Sequence, residues 1–166
     1  MQLSKDLRKY QMNSNLDILG LVFSLINYLF IFLFLFNLLK VNYYNSVVSI
    51  FVKIYKPISK VFSPLPNQAV NVLFLAILFK FLSIYIYFGG QYDITVLAGV
   101  AFIQTIMVTL RVIFFAVIGG VILSWVSPSN SNAFLELIEE VSYKSLAPIR
   151  KYIPSAGGLD FSPLFI

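Results

Sequence analysis

The chain contains no cysteine and no histidine among its 166 residues. It can form no disulfide, so disulfide chemistry says nothing about its compartment. Zinc, copper and haem sites are usually built from these two residue types, and the composition therefore predicts neither a protein-ligated metal nor a cofactor. Nucleophilic catalysis by a Cys/His or Ser/His arrangement is excluded for the same reason.

Charged residues are also scarce, at 11% of the chain, while 59% of the residues are hydrophobic. A soluble domain usually has about 25% charged residues, and a soluble core of this size could not bury so much apolar surface. The composition indicates an integral membrane protein. The net charge of +5 is better explained by lysines and arginines beside hydrophobic spans, where they contact lipid headgroups, than by nucleic-acid binding.

Three apolar stretches, residues 16–39, 69–88 and 94–126, are long enough to predict transmembrane helices at about 20 residues per crossing. Asn27 and Asn37 lie inside the first span. A buried asparagine can join helices by hydrogen bonding, whereas one near the interface is solvated. We favour solvation for Asn37. The loop after the second span, residues 89–93, contains no lysine or arginine.

The segment between the first two spans carries a stripe of polar residues at spacings of three and four, which are Ser46, Ser49, Lys53, Lys56 and Lys60. This spacing places them on one side of a helix whose other side is apolar. Such a helix is typical of the membrane interface, so Lys53, Lys56 and Lys60 are expected to contact lipid headgroups. Pro57 is expected to end or kink the helix.

Residues 133–146 form a second amphipathic segment. Asn132 can cap its start, and the apolar face is predicted to contain Phe134, Leu137, Ile138 and Val141. Glu139 and Glu140 are adjacent, and adjacent helical positions point about 100° apart, so we interpret them as a solvated face rather than an acid/base pair.

Lys80 and Arg111 are basic residues within predicted spans. An intramembrane cation is a candidate functional residue. Lys80 could instead extend its ammonium to an interface, and Arg111 could reach the interface or face other helices.

Residues 122–163 contain several separated motifs in a fixed order, and they resemble the YggT family of small integral membrane proteins, called YlmG in some lineages. The matching residues are Ser124, Trp125, Ala147, Pro148, Ile149, Arg150, Pro154, Gly157, Gly158, Asp160, Ser162 and Pro163. We expect Arg150 and Lys151 to meet lipid phosphates, Pro148 and the two glycines to form turns, and Asp160 to cap a helix.

Shifting the chain by 88 residues aligns Asn42 with Asn130 and Pro66 with Pro154. The expected fold is therefore an all-α membrane protein with a tandem repeat of transmembrane helix, interfacial amphipathic helix and transmembrane helix. The copies are residues 16–88 and 94–166, after a lead-in of residues 1–15. The family also shows this duplication, and its members continue through a full helix where this sequence stops, so we expect the fourth span to be truncated.

The lysine and arginine counts of segments 40–67 and 127–160 predict that both amphipathic segments are cytoplasmic. The basic residues of the lead-in, Lys5, Arg8 and Lys9, oppose this assignment. The resemblance implies a multi-pass protein of the bacterial cytoplasmic membrane.

The resemblance favours a non-enzymatic scaffold or assembly factor whose partners are membrane lipids and either another membrane protein or a second copy of the chain. Family members are linked to cell division and envelope organisation, and plastid relatives to haem attachment during cytochrome assembly. The alternative is an oligomeric transport or osmotic-stress-response protein, in which Lys80 and Arg111 line an anion path. A lipid enzyme using Asp160 and Ser162 is disfavoured because no general base is evident.

Overall fold

A computed structural model describes the backbone of residues 2–61, 65–126 and 132–150, and the side chains of residues 14–59, 65–126 and 132–148. These residues form helices joined by short connections, with no strand in the described ranges. The helices are α1 (Gln2–Leu38), α2 (Ser46–Val61), α3 (Gln68–Phe88), α4 (Ile94–Val126) and α5 (Ala133–Arg150). The predicted all-α class is confirmed.

Three segments are long and apolar enough to cross a membrane, namely Ser14–Leu38 of α1, the whole of α3 and the whole of α4. They match the predicted spans closely. The first helix differs at its start, because α1 continues back to Gln2 through the lead-in.

The chain divides into two compact units that do not follow the two halves of the sequence. The first unit contains the described residues within Met1–Phe32 and Pro64–Val108, and thus α3 with the N-terminal parts of α1 and α4. The second contains those within Leu33–Ser63 and Thr109–Ile166, and thus α2, α5 and the C-terminal parts of α1 and α4.

In the first unit, Asn27 connects three helices. Its side chain is 0% exposed, and its Nδ2 donates to the carbonyl of Ala76 on α3 at 2.7 Å and to Oγ1 of Thr105 on α4 at 3.5 Å. The hypothesis that Asn27 joins helices is confirmed. Because lipid offers no hydrogen-bond partner, these bonds give the Asn27 NH₂ group acceptors that it would otherwise lack.

Helices α1 and α3 approach closely at Gly20. The Ser83 hydroxyl donates to the Gly20 carbonyl at 2.8 Å, and the Tyr87 hydroxyl donates to the Asp17 carbonyl at 2.8 Å. A Cβ atom at Gly20 would lie 2.6 Å from the Tyr87 ring, so the absence of a side chain permits this contact. The order of these contacts along the two helices shows that α1 and α3 are antiparallel.

In the second unit, the end of α1 forms a Schellman motif, in which Val41 N–H bonds the Phe36 carbonyl at 2.9 Å and Lys40 N–H bonds the Asn37 carbonyl at 3.2 Å. Lys40 adopts the left-handed conformation usually taken by glycine, with φ 51°. Asn45 then caps α2, since its Oδ1 accepts from Val47 N–H at 3.0 Å. The connection between α1 and α2 is therefore ordered by its own hydrogen bonds.

Two prolines lie inside helices. The prediction that Pro148 forms a turn is wrong, because Pro148 lies within α5. Pro57 does not end α2, which continues to Val61, and the alternative that it kinks α2 stays a prediction. A proline within a helix leaves the carbonyl four residues earlier without its partner. Pro57 and Lys53 are both exposed, so the freed Lys53 carbonyl lies on an accessible side of α2, and the helix continues past the proline.

Candidate functional site

Helix α5 binds the α1–α2 connection through backbone groups of that connection. The Glu140 carboxylate accepts from Asn42 N–H at 2.9 Å and from Lys144 Nζ at 2.7 Å. The Lys144 ammonium also donates to the Lys40 carbonyl. We call Lys40, Asn42, Asn45, Glu140 and Lys144 the connection network. It fixes the position of α5 against the polypeptide that leads into α2.

Asn45 adds a further bond to this network, because its Nδ2 donates to the Ala133 carbonyl at the start of α5 at 2.7 Å. Its Oδ1 caps α2, so one side chain holds the N-terminal ends of both amphipathic helices. Asn132, which directly precedes Ala133, caps α5 by accepting from Phe134 N–H at 2.9 Å, as predicted.

The interpretation of Glu139 and Glu140 as one solvated face is only half right. Glu139 is exposed, but Glu140 is half-buried and belongs to the connection network. Sequence spacing alone could not identify this role, since Asn42 is 98 residues away. The predicted apolar face is formed by buried Leu137 and Val141 with half-buried Ile138, whereas Phe134 is 56% exposed.

The lysine stripe of α2 is exposed where the structure describes it, at Lys53 and Lys56. Val48 and Tyr55 on the other side of the helix are buried, so the predicted amphipathic division holds. Lys60 lies in α2, but its side chain is outside the described residues.

The motif residues that resemble the YggT family fall partly within the described chain. Ser124 bonds the Val121 carbonyl at 2.7 Å, and Trp125 is 73% exposed. Ala147 and Pro148 are exposed on α5, while the side chains of Ile149 and Arg150 are not described. The remaining predicted site residues lie outside the described residues: Lys151, Pro154, Gly157, Gly158, Asp160, Ser162 and Pro163.

Lys80 lines an open cleft of about 580 Å³ in the first unit. The cleft walls come from all three helices of this unit, and most of the lining is apolar. Its polar side chains are Ser24, Lys80, Ser83, Tyr87, Tyr92 and Gln104. Lys80 forms no ion pair with a carboxylate in the part of the chain that the structure describes. The ion pair found in that part joins Lys144 and Glu140.

Ser24, Lys80 and Gln104 lie at nearly the same level of the first unit. The contacts of Gly20 with Ser83 and of Asn27 with Ala76 and Thr105 fix this register. Each helix therefore contributes one polar side chain to the end of the cleft that lies farther from the loop of residues 89–93. The sequence identified Lys80 alone, because the alignment of Ser24 and Gln104 with it depends on how the helices pack.

Arg111 is exposed on α4 and is not among the residues that line the Lys80 cleft. The described residues also contain no group of three acidic, cysteine or histidine side chains that could hold a metal ion.

Comparisons with known proteins support the family resemblance. The model of the CCB3/YggT family matches residues 99–166. An uncharacterized protein of Haemophilus influenzae is 31% identical over 135 residues, which cover 76% of this chain and 71% of that protein. An uncharacterized protein of Pseudomonas aeruginosa is 48% identical over 56 residues, or 34% of this chain, and this match spans only 28% of that protein. No solved structure matches. The chain belongs to the CCB3/YggT family.

Proposed function

We propose that this protein is a non-enzymatic scaffold or assembly factor for membrane complexes. The observation that carries the proposal is the packing of α2 against α5 in the second unit, reinforced by the connection network. Helix α5 packs against α2 and is bonded to the connection that leads into α2 at Lys40, Asn42 and Asn45. The two helices form a pre-ordered surface, which lowers the entropic cost of binding a partner.

The two helices carry opposite charges on their exposed sides. Helix α2 contributes Lys53 and Lys56, and α5 contributes Glu136 and Glu139, all of them exposed. We assign the lysines, together with Lys60, Arg150 and Lys151, to anionic headgroups, each worth about 1 kcal/mol near a charged membrane surface. The glutamates are left for a basic segment of a membrane-protein partner or of a second copy of the chain.

Helix boundaries support the proposed duplication. Helices α1 and α4 end at Leu38 and Val126, a separation of 88 residues, and an asparagine caps the start of both α2 and α5. In this proposal, residues 16–88 and 94–166 are the two copies, and both amphipathic helices lie on the cytoplasmic side of the bacterial inner membrane. The links to cell division, envelope organisation and cytochrome assembly that the YggT resemblance implies are consistent with a scaffold.

The second candidate function is an oligomeric transport or osmotic-stress-response protein. The Lys80 cleft favours it, because a span cation that forms no ion pair within the described chain is typical of substrate pathways. The two functions differ in which residues they require. A scaffold depends on Glu136 and Glu139, whereas a transporter depends on Lys80.

The test is affinity purification of the full chain in native nanodiscs, followed by mass spectrometry. A Glu136→Gln/Glu139→Gln variant is expected to lose a stoichiometric partner that a Lys80→Met variant retains. If the acidic variant keeps every partner of the original protein, the scaffold surface is wrongly assigned. Loss of ion flux from proteoliposomes in Lys80→Met alone would favour the transporter.

A further inference from the structure

The Lys80 cleft has a single charged side chain among the described residues that line it, and this side chain is Lys80. Ser24 and Gln104 lie at nearly the same level of the first unit, and we call these three residues the Lys80 end of the cleft. The ammonium, the serine hydroxyl and the glutamine amide can all donate hydrogen bonds. This end of the cleft therefore suits an anionic group that accepts several hydrogen bonds.

Apolar walls extend from the Lys80 end toward the loop of residues 89–93. Lys80 lies eight residues before the end of α3 at Phe88, which corresponds to about 12 Å along the helix. Tyr87 and Tyr92 line the cleft near this loop, and we call them the loop end. The apolar side chains of the walls come from all three helices and are Leu21, Ile84, Phe88, Val96, Leu97 and Val100. A ligand that fills the cleft therefore needs an apolar body of about the same length as these walls.

The charge of Lys80 narrows the chemical class of the ligand. Lys80 forms no ion pair in the part of the chain that the structure describes, and a cation within a span is costly unless it is paired. A carboxylic acid can enter an apolar cleft in its neutral, protonated form and bind the ammonium after releasing its proton to solvent. A phosphodiester or a sulfonate must enter as an ion, which carries a much larger desolvation cost. A carboxylate is therefore the anion that best fits this site.

We propose that this cleft binds a medium-chain alkyl carboxylate, with the carboxylate at the Lys80 end and the alkyl chain along the apolar walls toward the loop end. The one anionic group of the ligand then meets the one cation of the lining, and the alkyl chain contacts apolar side chains. The reverse orientation would leave the carboxylate beside Tyr87 and Tyr92 and bring a methyl group to Lys80. The site belongs to the first unit, so it goes beyond the scaffold surface that α2 and α5 form in the second.

The orientation is tested by photo-crosslinking of the full chain in nanodiscs with two forms of decanoic acid. One form carries a diazirine beside the carboxylate, and the other carries it next to the terminal methyl group. Peptide mapping by mass spectrometry is expected to locate the first label around Ser24, Lys80 or Gln104 and the second around Phe88 or Tyr92. The reversed pattern would overturn the proposal, as would labelling that an excess of unmodified decanoate does not displace.

Competition for the label beside the carboxylate tests the chemical class of the ligand. Decanoate is expected to displace this label more strongly than decanol or decanesulfonate, which have the same alkyl chain. Equal displacement by decanol would show that the cleft binds alkyl chains without regard to charge. Equal displacement by decanesulfonate would show that it accepts any anion. Either result would overturn the assignment of a carboxylate site.

Two variants test the role of Lys80. Lys80→Met should weaken decanoate binding about tenfold, the effect of losing one charge-assisted hydrogen bond. Arg111→Met is the matched control, because it removes an exposed intramembrane cation that does not line the cleft, and it should bind decanoate as the original protein does. An equal loss of binding in both variants would contradict the proposal. If Lys80→Met does not fold, the positions of the two labels on the original protein decide the outcome.

Discussion

Asn27→Ala removes the side chain that joins α1, α3 and α4 in the first unit. The matched variant is Asn37→Ala, which makes the same chemical change in the same helix at a half-buried position. Both substitutions gain the same intrinsic helix propensity, so this gain cancels in the comparison. The difference in their stability therefore reports the interactions that Asn27 makes.

Hydrogen bonds between membrane helices contribute on average about 0.6 kcal/mol each. Asn27 donates one bond at 2.7 Å and a second at 3.5 Å, the longer of which is at the limit of a hydrogen bond. At this average the two bonds together contribute about 1.2 kcal/mol. Loss of packing around a fully buried side chain adds to this, so Asn27→Ala is expected to be about 1–2 kcal/mol less stable than Asn37→Ala.

One feature of Asn27 acts in the opposite direction. Its Oδ1 is buried without a hydrogen-bond partner, and removing an unpaired acceptor relieves a desolvation cost. That relief is small in a bilayer, because the separated helix also holds the amide in an apolar environment. The net effect of Asn27→Ala remains destabilising.

Equilibrium unfolding in mixed micelles containing increasing SDS would measure this difference. A double-mutant cycle with Thr105→Val should give a coupling below about 0.6 kcal/mol, since Thr105 also donates to the Ala101 carbonyl at 2.8 Å. If Asn27→Ala and Asn37→Ala unfold within about 0.5 kcal/mol of each other, which is the usual error of such comparisons, the assigned role of Asn27 is refuted.

Two further predictions use neighbouring or equivalent residues as controls. Gly20→Ala should be about 1–2 kcal/mol less stable than Gly99→Ala in the same unfolding assay. Both variants gain helix propensity, but only the alanine at position 20 displaces the Tyr87 ring. Equal stabilities would contradict the close approach of α1 and α3. Glu140→Ala should cost about 1 kcal/mol of local stability and speed amide exchange in α5, while Glu139→Ala changes it by less than about 0.5 kcal/mol. Similar exchange in both glutamate variants would exclude a stabilising connection network.

Local sequence patterns predicted the helices well but not their partners. Apolar length located the three spans, and the polar stripe located α2, because these signals depend on residues close in sequence. The role of Glu140 depends on an amide 98 residues away, and no periodicity carries that information. The prediction of a turn at Pro148 failed for a different reason, since a proline can lie inside a helix at the cost of one backbone hydrogen bond.

The contrast between the two units follows from the environments that their sequences predict. In the first unit, polar side chains such as Asn27 and Ser83 are buried and bond mainly to carbonyls of neighbouring helices, because lipid leaves them no other partner. In the second unit, charged side chains bind the ends of helices and the connection between them, where solvent is available to the unpaired charges. Lys80 fits neither pattern, since it is a charge in a span without a carboxylate partner in the described chain.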